Sequence, residues 1–356
     1  MTEAQKKAIR LIIVVTLLIF LEILLRFKLR TQQPKADENG IKASNISQVT
    51  FLAFGDINLG RKVGQHILAG EINYPFEKIN LHEDSADIIF ANLESQISDQ
   101  NGETVSSKNN LIFTGPPQGA VTLKNSGITI VSTANNHALD YEKKALAQTL
   151  EHLDQQGIFH VGTSLQKGKL FDPVIIEKNN IKFAIFSVTS FVNFSPKNWK
   201  ETIAYVDTGK LLYKMSKAKG EADIIIVSYH GGVEYTDHPR NREKDFAEWC
   251  IAHGANIFLG HHPHVTYGIE KKGNGVIVQS LGNFVFFQPQ HYWTQRSYGV
   301  KFRIEKKDSL VTIGLDCIFP LEVGLQTKRL ADSVESRKLL KRTQQLSNFD
   351  LTSFWK

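Results

Sequence analysis

Short apolar runs recur along this chain, and clusters of polar residues close them. Residues 49–54, 87–91, 129–132, 160–162, 182–188, 224–229 and 256–259 each read as a buried strand. Between them lie stretches with helical spacing. Residues 141–156 put Ala145, Leu146, Leu150 and Leu153 on one face and stop at Gly157; residues 243–252 form a second such stretch, stopped by Gly254. From Val276 onward the runs 276–279, 299–305 and 310–319 follow one another with no helix between them, which suggests a second sheet packed on the first. Residues 332–345 predict a charged C-terminal helix. The alternation predicts an α/β protein of layered sheets and helices.

The N-terminus follows another pattern. Residues 11–25, LIIVVTLLIFLEILL, are apolar apart from Thr16 and Glu22. Extended to residues 8–29, with Arg10, Arg26 and Lys28 reaching for the interface, they make a helix of roughly 33 Å, enough to span a bilayer. No small-x-small cleavage site follows Leu25, so an uncleaved anchor over residues 1–30 is expected rather than a removed signal peptide. Residues 31–48 are polar, lack aromatics and contain Pro34 and Gly40, which reads as a flexible linker. A folded domain over 49–325 and a helical tail over 326–356 complete the organisation.

Charge changes the picture once it is localised. The net charge is +6, but residues 1–35 hold seven Lys/Arg against two Glu, so the surplus belongs to the anchor and no nucleic-acid partner is expected. Lys6, Lys7 and Arg10 face Arg26, Lys28, Arg30 and Lys35 across the span, so charge alone does not orient it. Cys250 and Cys317 are too few for a disulfide framework or a thiolate metal site.

The polar clusters carry the chemistry. In Gly260-His261-His262-Pro263-His264, His262 and His264 are one residue apart around a proline and can converge on one metal; His230 ends the run 224–229 and offers a third imidazole. Asp56, Glu94 and the group Asn135-Asn136-His137 close three other runs. Imidazole, carboxylate and amide oxygen together suit zinc, manganese or iron in a hydrolytic site.

These blocks resemble the capsule synthesis protein A family, also called poly-gamma-glutamate synthesis proteins, of the calcineurin-like metallophosphoesterase superfamily. The resemblance covers roughly residues 50–287 and rests on Gly55-Asp56-Ile57-Asn58-Leu59-Gly60-Arg61, Asn92-Leu93-Glu94, Ala134-Asn135-Asn136-His137-Ala138-Leu139-Asp140, His230-Gly231-Gly232-Val233-Glu234-Tyr235, His262-Pro263-His264-Val265 and Ser280-Leu281-Gly282-Asn283-Phe284, in one order. It implies a four-layer αββα sandwich. It implies one or two divalent ions (Mn, Zn or Fe) on Asp56, Glu94, Asn136, His230, His262 and His264, with His137 as general acid. Asp140 either orients His137 or caps the following helix. Arg61, Asn92, Glu234 and Asn283 are candidate substrate contacts, and His261 is expected to be a bystander.

Asn58 stands where the superfamily has the histidine of Asp-x-His, so one tightly held ion and a weaker second are expected. Gly231 replaces a common aromatic, and Tyr267 a common glutamine. The resemblance further implies a bacterial single-pass membrane protein with its domain outside. It would act on an anionic polymer such as poly-gamma-glutamate, beside other capsule synthesis subunits. A general phosphoesterase and a non-catalytic export or assembly subunit are the alternative readings.

Overall fold

The computed structural model describes residues 46–81 and 86–356, and of the preceding segment Glu3 and Glu22 alone. The expected anchor therefore lies outside the described residues. Among the described residues no helix is long and apolar enough to cross a membrane. The strands, in chain order, are β1 (Ile46–Ile57), β2 (Ile88–Leu93), β3 (Gln96–Ile97), β4 (Thr114–Gly115), β5 (Ile130–Ser132), β6 (Phe159–Val161), β7 (Val174–Lys178), β8 (Ile181–Thr189), β9 (Ile224–His230), β10 (Ile257–His261), β11 (Ile269–Lys272), β12 (Gly275–Val278), β13 (Asn283–Val285), β14 (Arg296–Lys307), β15 (Leu310–Glu322) and β16 (Lys328–Arg329). The helices are α1 (Arg61–Leu68), α2 (Gly119–Asn125), α3 (Glu142–Gln155), α4 (Thr208–Ala218), α5 (Asn241–Ala252) and α6 (Ser333–Gln345). Strand β1 opens at Ile46, so the last residues assigned to the linker are strand instead.

Two sheets hold almost all of these strands. One has the order β16-β15-β14-β1-β2-β5-β6, with β13 also on β1; the other has the order β11-β12-β10-β9-β8-β7. Of the C-terminal runs expected to form the second sheet, β12 does join it, but β14 and β15 do not. Strand β14 pairs antiparallel with β1 from Ile46↔Lys307 to Ala53↔Val300 and carries β15 with it, so they complete the first sheet.

Alternation along the strands assigns the layers, because successive side chains point to opposite faces. Phe51 and Ala53 of β1, Phe90 of β2, Phe183 and Ile185 of β8, Ile226 of β9 and Leu259 of β10 meet in one core between the sheets. The other face of β1, Leu52 and Phe54, packs with Val63 and Ile67 of α1, Leu123 of α2 and Leu153 of α3. The outer face of β8 to β10 packs with Leu211 and Met215 of α4 and Ala247 and Cys250 of α5. Helix, sheet, sheet and helix succeed one another.

The residues from 326 onward are part of the same compact unit, Asn45–Lys356. Asp332 caps α6 by accepting from the Val334 and Glu335 amides, Leu339 and Leu351 are fully buried, and Trp355 bridges to Ile318 of β15. Two glycines let the segment 279–282, which leads from β12 to β13, lie directly against β1 and β10. The Asp56 amide donates to the Gly282 carbonyl at 2.9 Å and the Leu281 amide to the Gly260 carbonyl at 3.0 Å. A Cβ on Gly55 would overlap the Gly282 carbonyl, and one on Gly260 the Gln279 carbonyl. Glycine is required at both by backbone proximity.

Candidate metal centre

Strands β1, β2 and β5 run parallel in the first sheet and β9 and β10 in the second. Their carboxyl ends deliver polar side chains to one place, the usual site of function in α/β sheets. Asp56 lies near the end of β1 and Glu94 follows β2. Asn136 and His137 follow β5, His230 ends β9, and His262 and His264 follow β10. His262 (φ 96°) and His264 (φ 59°), on either side of Pro263, are both left-handed, a conformation that costs non-glycine residues energy and clusters at functional sites.

Two groups of ligand atoms result. Glu94, His230 and His262 form one, and Asp56, Glu94 and His264 the other, each with its atoms within 4.8 Å of one another. Glu94 is common to both, with Oε1 3.8 Å from His230 Nε2 and 3.7 Å from His264 Nε2. Asn136 Oδ1 is 2.7 Å from His230 Nε2, which adds an amide oxygen to the first group.

Whether these residues suit a metal is decided by Glu94. It is fully buried, and neither carboxylate oxygen has a hydrogen-bond partner. Burial, and then Asp56 beside it, push its pKa well up. A buried carboxylate without donors is costly, and a cation between the imidazoles removes that cost. Burial also drives His230 well below the usual imidazole range and His262 down to about 3, so both present the neutral form that binds metal. Burial raises Asp56, but contacts with His261 and His264 outweigh it and keep it well below the usual carboxylate range. The set fits a divalent ion of the zinc, manganese or iron kind.

The remaining residues separate by position. His137 Nδ1 is 2.7 Å from Asp140 Oδ2, which also accepts from the Phe113 amide, while Nε2 faces Glu94 Oε1 at 4.0 Å. Of the two roles open to Asp140, orienting His137 is the one seen: the N-cap of α3 is Tyr141, without a side-chain cap. Asn92, a candidate substrate contact, turns to the ligands in this structure. It is fully buried, and its Nδ2 lies 2.8 Å from Asp56 Oδ1 and 3.2 Å from His230 Nδ1. Asn283 is likewise buried, with Oδ1 2.9 Å from His264 Nδ1.

Glu234 sits at the rim, 39% exposed, with Oε1 3.9 Å from His264 Nε2. Arg61 is half-buried, over the Phe113 ring at 4.6 Å. Asn58, in place of a histidine, turns back to accept from the Gly60 amide at 2.8 Å. At Gly231 a Cβ would collide with Ser190 Oγ and the Tyr229 ring, so a larger side chain has no room there.

Two residues near the cluster escaped sequence reasoning. His261 is no bystander: it is fully buried, its Nδ1 is 3.3 Å from Asp56 Oδ1, and neither ring nitrogen has a hydrogen-bond partner. Its register partner is His230 across β10 and β9, so strand parity points both imidazoles the same way, a pairing that belongs to the fold and is not read from either run alone. Asn193 arrives from the loop after β8, accepting from Asn136 Nδ2 and approaching His137 Nε2, both at 3.3 Å. No pattern in its loop marks it.

Two stacked sheets whose parallel strands end on buried carboxylates, imidazoles and an amide define a layered α/β protein with a candidate metal centre. Its family is narrower. The model described as "Bacterial capsule synthesis protein PGA_cap" matches residues 50–288, and the chain belongs to that family. "Capsule biosynthesis protein CapA" of Bacillus anthracis is 27% identical over 291 residues, covering 80% of this chain and 69% of that protein. "PGA biosynthesis protein CapA" of Bacillus subtilis (strain 168) is 27% identical over 322 residues, covering 88% and 83%. Among solved structures, a putative 5'-nucleotidase from Staphylococcus aureus aligns with a TM-score of 0.47 and 13% identity, covering 84% of this chain and 58% of that one.

Proposed function

We propose that this chain is a metal-dependent hydrolase of capsule biosynthesis that acts on an anionic surface polymer such as poly-gamma-glutamate. The observation that carries the reading is Glu94, buried, without donors, and common to two groups of ligand atoms. Asp56, Glu94 and His264 would hold one ion, and Glu94, Asn136, His230 and His262 the other. A divalent ion there supplies Lewis acidity toward a carbonyl or phosphoryl oxygen.

The chain's own residues do the rest. Asn92 and Asn283 fix the orientation of Asp56, His230 and His264. Asp140 holds His137 by Nδ1, so that Nε2 is the atom that gives a proton to the departing amine or alkoxide. Phe113, 4.1 Å from the His137 ring, shields that side of the imidazole. The N-terminal apolar segment would anchor the domain to the outer face of a bacterial membrane, within reach of other capsule synthesis subunits.

The test is a metal titration of the purified full-length chain on a gamma-linked glutamate oligomer and on a generic phosphodiester. Cleavage of the oligomer, rising with added manganese until saturation, supports the reading. Cleavage of the phosphodiester alone makes the chain a phosphoesterase. Polymer binding without cleavage of either at any metal concentration makes it an assembly subunit. Protease added to intact cells should release the domain; protection until lysis would reverse the orientation.

A further inference from the structure

Beside the metal centre lies a cavity of about 640 Å³, lined among others by Arg61, Lys62, Asn110, Tyr235 and Gln288. Arg61 enters it from a left-handed backbone position (φ 52°) at the start of α1, a strained conformation for arginine. Its guanidinium rests over Phe113 at 4.6 Å and nears Phe286 at 6.0 Å, so its plane is held by cation–π contact. One Nη donates to the Asn110 carbonyl at 2.8 Å. Among the described residues neither Arg61 nor Lys62 makes an ion pair, so most of the guanidinium's donors are uncommitted.

The aromatic floor links this arginine to the cluster. Phe113 lies 4.1 Å from the His137 ring, Phe286 lies 4.8 Å from the His264 ring, and Tyr235, on the cavity wall, stacks toward His264 at 5.9 Å. An anion on Arg61 would thus sit one ring away from the proton donor and from a metal ligand.

We propose that this cavity is a subsite for a substrate carboxylate, gripped by the planar fork of Arg61 next to the bond acted on at the cluster. The proposal rests on reading the cluster as the working centre, and it adds the chemistry that selects the substrate. The planar fork matches a carboxylate through two parallel hydrogen bonds. Glu234 at the rim and Glu103 on the wall oppose negative charge, and they oppose a phosphate dianion more than a carboxylate monoanion.

The experiment is calorimetric titration of the manganese-loaded full-length chain with tetraglutamate, with tetraglutamine as the uncharged control and inorganic phosphate as competitor. Arg61→Gln should weaken tetraglutamate at least tenfold, leave tetraglutamine unchanged and keep the metal content. Arg61→Lys, which keeps the charge and loses the fork, should weaken tetraglutamate at least threefold, and it carries the test if Arg61→Gln fails to fold. Equal tetraglutamate affinity in wild type and either folded variant overturns the proposal, as does wild-type binding of tetraglutamine as tight as tetraglutamate. Loss of phosphate competition in Arg61→Gln without loss of tetraglutamate makes the subsite one for phosphate and also overturns it. Arg61-dependent binding by a chain that retains no metal would uphold the subsite and refute the hydrolase reading; intact turnover with Arg61-independent binding would do the reverse.

Discussion

Asp56 and Asn92 face one another across the parallel pair β1 and β2, and the Asn92 amide donates to the Asp56 carboxylate at 2.8 Å. The same amide nitrogen is 3.2 Å from His230 Nδ1, so a residue of the first sheet orients a ligand of the second. Asn92→Ala should lower metal affinity by about 10–100-fold, the usual cost of removing a group that orients a ligand. Competition with a chromophoric chelator measures it, and unchanged affinity would remove Asn92 from the support of the site.

Glu94 is where stability and function oppose one another. Glu94→Gln should strip both ion positions, which elemental analysis of the purified chain reads directly. In EDTA the same variant should gain stability over wild type as pH rises above about 4.5, because burial raises the Glu94 pKa and the amide has no charge to bury. No such gain in the metal-free variant would contradict this account.

His137 touches neither group of ligand atoms closely, since its nearest carboxylate oxygen there is 4.0 Å away. His137→Ala should retain metal and lose about 10²–10⁴-fold in kcat on a substrate with a poor leaving group. Asp140→Asn should lose part of that rate. Loss of metal in His137→Ala would turn the imidazole from proton donor into ligand.

His262 gives the metal-free chain a pH signature. Burial holds its pKa down to about 3, against about 6.5 for a free imidazole. Between those values the unfolded chain binds the extra proton, so acid favours unfolding by up to ~1.4 kcal/mol per pH unit from this group. Urea denaturation in EDTA should show wild type losing stability relative to His262→Asn as pH falls from 6.5 towards 3, with a constant difference above 6.5. A difference that does not change across that window would sink the assignment.

How much of this was legible in the sequence follows from the range of each interaction. Continuous apolar runs marked β1, β2, β8, β9 and β10, and polar residues at their ends marked Asp56, Glu94 and His230, because one strand suffices to place a residue at an edge. The partner of a strand is a long-range matter, so β14 and β15 were assigned to the wrong sheet. Asn92 and Asn283 read as candidate substrate contacts, and only the fold shows them buried against Asp56, His230 and His264. Asp140 had two local roles of equal standing, and only the fold put His137 Nδ1 within 2.7 Å. Asn193 depends entirely on where its loop lands.

The two glycine contacts at the ends of β1 and β10 bear on how this site could be altered. Each added Cβ would meet a backbone carbonyl, which cannot adopt another rotamer. A substitution at Gly55 or Gly260 would therefore push β1 or β10 away from the segment 279–282 beside it and shift Asp56 or the histidines after β10 without removing any ligand. The two positions act as spacers between each strand and that segment: they tune the fit to ionic radius from outside the coordination sphere, and libraries that vary only the ligands would leave that variable untouched.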